Sequence, residues 1–244
     1  MHIKLYLKQF IDRLGYKVYK KGHVPIGVDF DSDIVRFSRD LQVKTIFDVG
    51  ANIGQTALRF YKIFPHANIF SFEPIQTTFD QLERNTARLP KVNCYHHAFG
   101  SKEDNLKIYR QSNSLLNSLA DEVNHYSPES EIVKVKTIDQ FCRENDIETI
   151  DILKTDTEGF ELEVIRGAKE CLEENTIRFI FLEVGFRYTD KRHILFSEIN
   201  DYLIEKEFRF CGFYDLHHSN NKGQFLLTYC NALFVNFSPV KPLF

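Results

Sequence analysis

Carboxylates carry the clearest chemical pattern in this chain. Asp48 ends an apolar run, Thr45-Ile46-Phe47, and the glycines Gly50 and Gly54 follow it within Gly50-Ala51-Asn52-Ile53-Gly54-Gln55-Thr56. Glu73 closes the next apolar run, Ile69-Phe70-Ser71-Phe72, with Pro74 directly after it. Asp156 and Glu158 follow Ile150-Asp151-Ile152-Leu153-Lys154-Thr155, and Glu183 closes the run that starts at Ile177. An acid at such a position can accept the hydroxyls of a ribose, take a proton from a nucleophile or help to hold a divalent cation. The glycines allow a sharp turn and close approach of a ligand to the backbone. A helix starting there offers free N–H groups to a polar group. The pattern is that of a nucleotide-type cofactor site.

The glycine spacing narrows the cofactor. A dinucleotide fingerprint needs glycine at 50, 52 and 55, where this chain has Gly50, Asn52 and Gln55. A phosphate-binding Gly-Lys-Ser/Thr loop is absent. The remaining form, Asp-x-Gly-x-x-x-Gly, suits S-adenosylmethionine, which has no phosphate to press on a bare turn. On this reading Glu73 takes the ribose hydroxyls, and Asp48 holds the amino-acid portion directly or through water, or caps the following helix. Gly50 and Gly54 give close approach, while Asn52 and Gln55 offer hydrogen bonds at the mouth. Ala98 and Phe99 follow the third strand, where the adenine should lie; Phe99 packs on that ring or in the core.

With S-adenosylmethionine the chemistry to position is methyl transfer from a sulfonium, an in-line displacement that depends on positioning and, where the acceptor is a hydroxyl, on removal of its proton. Asp156 sits just past the fourth strand, where parallel sheets place ligands, and is assigned to the methionine end or the acceptor. Glu158 orients the acceptor or takes its proton. Glu183 and His193 are the next candidates. The competing assignment has Asp156 capping the next helix and Glu158 favouring its dipole. Convergent carboxylates could hold a divalent metal, but their spacing is not diagnostic and no metal is assigned. His125 and Tyr126 fall in a long polar loop, His96 and His97 should alternate in and out of a strand, and His217-His218 reads as a turn.

The elements that must position these groups follow from periodicity. The chain has 244 residues, 43% of them hydrophobic, with 23 phenylalanines and a net charge of −3. That suits one α/β domain and gives no counter-charge for a nucleic-acid backbone. Five cysteines without a C-x-x-C pair point to a reducing compartment, the cytoplasm. No apolar run is long enough for a signal peptide or membrane span. Residues 1–43 read as an N-terminal accessory helical segment and 44–244 as the main domain. Within it, strands near 45–49, 68–73, 92–97, 150–155 and 177–183 alternate with helices near 54–64, 76–88, 137–145, 158–172 and 191–205. Short strands are expected near 106–110 and 132–135, with the polar loop 111–130 between them as a wall or lid for the acceptor. The end, Glu207–Phe213 and Phe225–Phe237, reads as an antiparallel hairpin. The fold expected is α/β: a Rossmann-like class I methyltransferase, a seven-stranded, mostly parallel sheet with a C-terminal antiparallel hairpin.

The motifs resemble the FkbM family of S-adenosylmethionine-dependent methyltransferases. The matching pieces are Thr45–Thr56, Phe72-Glu73-Pro74, Ala98-Phe99-Gly100-Ser101, Ser112-Asn113-Ser114-Leu115, Leu153-Lys154-Thr155-Asp156-Thr157-Glu158-Gly159-Phe160-Glu161 and Phe181-Leu182-Glu183. They span residues 44–185 in the family's order, and the Lys-x-Asp-x-Glu-Gly block is the most specific. The resemblance implies O-methylation of a hydroxyl on a sugar, glycan or related metabolite. It names no acceptor and leaves homo-oligomerisation open. Two other readings stand beside it: a non-catalytic S-adenosylmethionine-binding or scaffold protein on this fold, and a nicotinamide-dependent oxidoreductase, which Asn52 and Gln55 disfavour.

Overall fold

The computed structural model describes residues 6, 10–20, 23–39, 41–109, 130–190, 192–221 and 223–236. In chain order the elements are α1 (Phe30–Phe37), β1 (Thr45–Val49), α2 (Gln55–Ile63), β2 (Asn68–Phe72), α3 (Gln76–Thr86), β3 (Val92–Tyr95), β4 (Ala98–Phe99), β5 (Asp104–Tyr109), β6 (Ser130–Lys136) and α4 (Ile138–Glu144). They continue with β7 (Ile150–Thr155), α5 (Glu161–Arg166), α6 (Lys169–Glu173), β8 (Ile177–Gly185), α7 (Phe196–Ile204), β9 (Phe208–Asn221) and β10 (Gln224–Asn236). Seven strands form one sheet in the order β3-β2-β1-β7-β8-β10-β9. The first five are mutually parallel, and β10 runs antiparallel to both β8 and β9. This is the class I methyltransferase fold.

The central strands read as near-continuous apolar runs because helices cover both faces of a parallel sheet. Alternation along each strand splits the core in two. Phe47, Leu153 and Ile180 face one way and pack with Phe72, Phe99 and Phe141. Ile46, Ile152 and Phe179 face the other way and pack with Phe30, Phe60 and Tyr214. Residues 30–37 belong to this second core: the Phe30 ring stacks on Phe181 at 4.0 Å. The Tyr214 hydroxyl donates to buried Asp33 at 3.0 Å, tying α1 to the hairpin.

The sheet order reverses between β1 and β7, because the chain builds β1, β2 and β3 outward and then returns to the other side of β1. That switch point is where α/β sheets open a crevice at the carboxyl ends of their strands. Register brings Asp48 level with Lys154 and Val49 level with Thr155, so the loops after β1 and β7 leave side by side. A small second sheet, β4-β6-β5, covers one end of that crevice.

Several expectations need correction. The third strand stops at Tyr95, and Ala98–Phe99 leaves the large sheet to pair with β6 in the small one. The helix expected over 158–172 starts at Glu161 and is broken into α5 and α6 at Gly167. A Cβ on Gly167 would sit 2.1 Å from the Gly100 carbonyl oxygen, so this break lets two backbones touch. The last helix begins at Phe196 rather than near 191. His217 and His218 are not in a turn. They lie in β9, and the hairpin turns beside Gly223, which has φ 82°. Their polarity suits an edge strand open to solvent, which is why the stretch lacks strand-like alternation. Phe10 and Leu14 of the N-terminal segment are exposed. Residues 111–129, with the Ser112–Leu115 motif, His125 and Tyr126, lie outside the described residues. Among the described residues no helix is long and apolar enough to cross a membrane.

Candidate active site

A cavity of about 510 Å³ opens at the switch point. Its two ends differ in chemistry. One is walled by Phe72, Pro74, Ile75, Ala98, Phe99 and Ile108. The other carries Lys154, Asp156, Glu158, Glu183, Arg192 and Tyr229. Gly50, Asn52, Gln55 and Glu73 lie on the wall as well. Most of the site residues named from the sequence thus line the cavity, but Asp48, Gly54 and His193 stand behind the wall rather than on it.

The turn after β1 explains the glycines. Gly50 has φ 74°, and a Cβ there would fall 1.9 Å from the Asp156 carbonyl oxygen, so the loops after β1 and β7 can meet only at glycine. The Gly50 and Ala51 amides both donate to Phe72 O at 3.0 Å. Gly54, with φ 96°, is the N-cap of α2 and packs against Leu82 and Thr86. Asn52 takes φ 49°, a conformation asparagine tolerates better than most residues. Its amide donates to Glu73 Oε2 at 3.0 Å, and the Ile75 amide donates to Glu73 Oε1 at 3.0 Å. Glu73 is thus held in place by two backbone donors. Burial nonetheless pushes its pKa up to about 7. Each oxygen keeps acceptor capacity for a further donor.

Behind the turn lies a buried charge cluster. Asp48 is completely buried, and its carboxylate is ion-paired with Lys154 Nζ at 3.1 Å. Burial raises the Asp48 pKa. For Lys154 burial works downward, but Asp48 and Asp156 outweigh it and the net shift is upward. Lys154 Nζ also donates to Gly50 O at 3.2 Å and lies 3.5 Å from Asp156 Oδ2. Asp48 thus acts by anchoring Lys154, which does reach the cavity. Lys154 was missed as a site residue, although a lysine inside so apolar a run was its signal.

The turn after β7 corrects two roles. Glu158 does not begin a helix; it sits in the turn with φ 54°. Glu161, almost fully buried, closes that turn by accepting from Thr157 N at 2.8 Å, Thr157 Oγ1 at 3.0 Å and Gly159 N at 3.1 Å. Burial pushes the Glu161 pKa up to about 7. Neither Asp156 nor Glu158 caps α5, whose N-cap is Phe160. Both acids are left facing the cavity. Arg192 donates to Glu158 Oε2 at 2.6 Å. Burial, helped by Glu183 and Asp156 and opposed by Arg192, raises Glu158 to about 7.

His193 is not a free base. Its Nε2 lies 3.1 Å from Glu183 Oε2 and its Nδ1 2.8 Å from Asp190 Oδ2, and its ring stacks on Tyr229 at 4.3 Å. Burial alone would lower its pKa, but the two carboxylates lift it to about 9. At neutral pH it is a cation with both nitrogens engaged, a support for Glu183. Glu158, Glu183 and His193 could bring one ligand atom each within 4.8 Å of one another. For a metal to bind there His193 would have to give up its proton, and Glu158 its pairing with Arg192.

Residues 48–213 match the profile of the Methyltransferase FkbM domain. The 2-O-methyltransferase NoeI of Sinorhizobium fredii is 28% identical over 152 residues, covering 57% of this chain and 62% of its own. The hexuronic acid methyltransferase AglP of Haloferax volcanii is 28% identical over 142 residues, covering 57% of this chain and 55% of its own. The methyltransferase sdnD of Sordaria araneosa is 30% identical over 156 residues, covering 51% and 60%. The matched stretches thus span about three fifths of these relatives' length. The chain belongs to the FkbM methyltransferase family.

Proposed function

We propose that this FkbM-family chain transfers a methyl group from S-adenosylmethionine to a hydroxyl of a sugar, glycan or related metabolite. The observation that carries the reading is one cavity joining Glu73 to Glu158 across the switch point of the sheet. The lining fits the cofactor: a carboxylate for a diol, an apolar end for a flat base, and acids where a sulfonium and an ammonium would sit. It does not suit a pyrophosphate, because Lys154 is committed to Asp48 and Asp156 and Arg192 to Glu158. The bound cofactor supplies an electrophilic methyl group on sulfur.

The chain's own residues do the rest. Glu73 and Asn52 hold the sugar portion, with Gln55 at the mouth. Asp156 and Lys154 flank the methionine end. Glu158 takes the acceptor's proton, since a carboxylate poised near neutrality is matched to that task. Glu183, braced by His193, orients the acceptor hydroxyl. NoeI and AglP are a 2-O-methyltransferase and a hexuronic acid methyltransferase by name, which supports a sugar acceptor here. The net charge of −3 argues against a nucleic-acid acceptor. All five cysteines are free thiols, in keeping with a cytoplasmic location.

Isothermal calorimetry with S-adenosylhomocysteine and NAD, followed by mass spectrometry of sugars and nucleotide-sugars incubated with the chain and S-adenosylmethionine, tests this. Binding of S-adenosylhomocysteine and a single-methyl mass gain on a hydroxylated acceptor are expected. Binding of NAD without S-adenosylhomocysteine would sink the reading. Cofactor binding without turnover on any acceptor would favour the scaffold alternative.

A further inference from the structure

We propose that His97 selects the cofactor's base by accepting a hydrogen bond at Nε2 from the exocyclic amine of adenine. The inference rests on the S-adenosylmethionine reading above. His97 is buried yet lines the cavity, at the end walled by Phe72, Ile75, Ala98, Phe99 and Ile108. Its ring is fixed by aromatic neighbours: Phe99 meets it edge-on at 5.0 Å, and Phe72 and Phe141 pack at 5.3 and 5.7 Å.

The tautomer follows from one contact. Nδ1 lies 3.1 Å from the Ala98 carbonyl oxygen. A carbonyl oxygen can only accept, so Nδ1 carries the proton. A neutral imidazole has one N–H, which leaves Nε2 as a bare acceptor. Nε2 is buried and has no hydrogen-bond partner among the described residues. Buried polar atoms in native proteins are almost always paired, so an orphan on a residue that lines a ligand cavity needs an explanation. Burial, with Lys136 and Lys134 nearby, pushes the His97 pKa down to about 4, so the ring stays neutral across the working range.

The chemistry of adenine then selects the partner. Once its N9 is glycosylated, adenine has a single kind of N–H donor, the amine on C6. On the proposed reading the ribose hydroxyls go to Glu73, which lines the same cavity. A lone acceptor at the base end therefore matches adenine and opposes hypoxanthine, whose C6 oxygen is itself an acceptor. A flat apolar slot alone would hold both bases equally. His97 turns that slot into a filter against deaminated cofactor.

The test is calorimetry of the full chain with S-adenosylhomocysteine and with S-inosylhomocysteine, its deaminated analogue. The native chain should prefer the adenine form by roughly 10- to 100-fold, the usual effect of leaving a buried polar group unpaired. His97→Phe keeps a flat ring but has no acceptor. It should lose affinity for S-adenosylhomocysteine and retain it for the inosine form. His97→Gln can present either its oxygen or its amide nitrogen, so it should bind both within about threefold, on the same reasoning. If His97→Phe fails to fold, His97→Gln decides alone. A native ratio near one, or a ratio unchanged in a folded variant, overturns the assignment. A native chain that binds neither form overturns the cofactor reading, and this inference with it.

Discussion

Replacing Glu158 by glutamine should slow methyl transfer and raise stability together. Glu158 is pushed from 4.5 to about 7 mainly by burial, and its side chain is only 13% exposed. One pKa unit corresponds to about 1.4 kcal/mol, so full ionisation of Glu158 costs the fold at most about 3.5 kcal/mol. Residual solvent lowers this to roughly 1–3 kcal/mol. The folded pKa lies above the unfolded one, so ionisation destabilises. The cost is absent below about pH 4.5, grows through the interval and is complete above about pH 7. Glutamine keeps an oxygen for Arg192 and carries no charge. Its advantage should therefore be near zero at pH 4.5 and full at pH 8, where roughly 2–4 °C per kcal/mol predicts a rise of several degrees in Tm. Activity should move the other way. Loss of a general base costs about 10²–10⁴ in kcat, and the rise of the native rate with pH, centred near 7, should vanish. Scanning calorimetry at both pH values and a pH–rate profile would decide. A variant that melts lower at pH 8 than the native chain, or turns over within threefold of it, would refute the reasoning.

Two further outcomes follow from the charges behind the wall. His193 has its pKa raised from 6.5 to about 9, so its contribution is fully present below pH 6.5 and lost as pH rises through about 9. His193→Gln should thus lower Tm at pH 6, with little effect at pH 9.5, and leave the activity midpoint near 7 in place; a displaced midpoint would return His193 to the list of bases. Lys154→Met leaves Asp48 completely buried without its cation, a change worth about 3–5 kcal/mol in urea denaturation. Adding Asp48→Asn should restore most of that stability, and a single variant costing under about 1 kcal/mol would show that Asp48 is already neutral.

The scaffold was legible because it is written in short-range pattern. Ile46-Phe47 and Ile152-Leu153 feed two opposite faces, and no residue type but glycine fits at position 50. Glu73, Asp156 and Glu158 were legible for the same reason, since each follows a strand at the sheet's carboxyl edge. What the pattern could not reach was the partner of each acid. Asp48 reads like a ligand contact until register sets Lys154 beside it. Glu158 reads like a helix start until Glu161 satisfies that turn instead. His193 reads like a base until Asp190 and Glu183 occupy both its nitrogens. His217 and His218 read like a turn because an edge strand in solvent has no buried face to enforce alternation.

Several residues of the site share a location, and that location has a physical meaning. Left-handed Gly50, Asn52 and Glu158, and the raised carboxyls of Glu73 and Glu158, belong to three loops that leave β1, β2 and β7, and the raised carboxyl of Glu161 follows at the start of α5. Within the strands the desolvated charge is the Asp48–Lys154 pair, whose two members offset one another. Desolvated carboxyls thus gather at the carboxyl edge of the sheet. Ribose hydroxyls donating to Glu73 and an acceptor hydroxyl donating to Glu158 would favour the ionised forms that burial disfavours. Ligands would then bind the folded chain most tightly where that chain is least comfortable alone, and would raise its stability by mass action. Asparagine at 52 and glutamine at 55 make sense in the same terms. They supply polar side chains at the mouth for a phosphate-free ligand, at positions where a dinucleotide would require bare backbone.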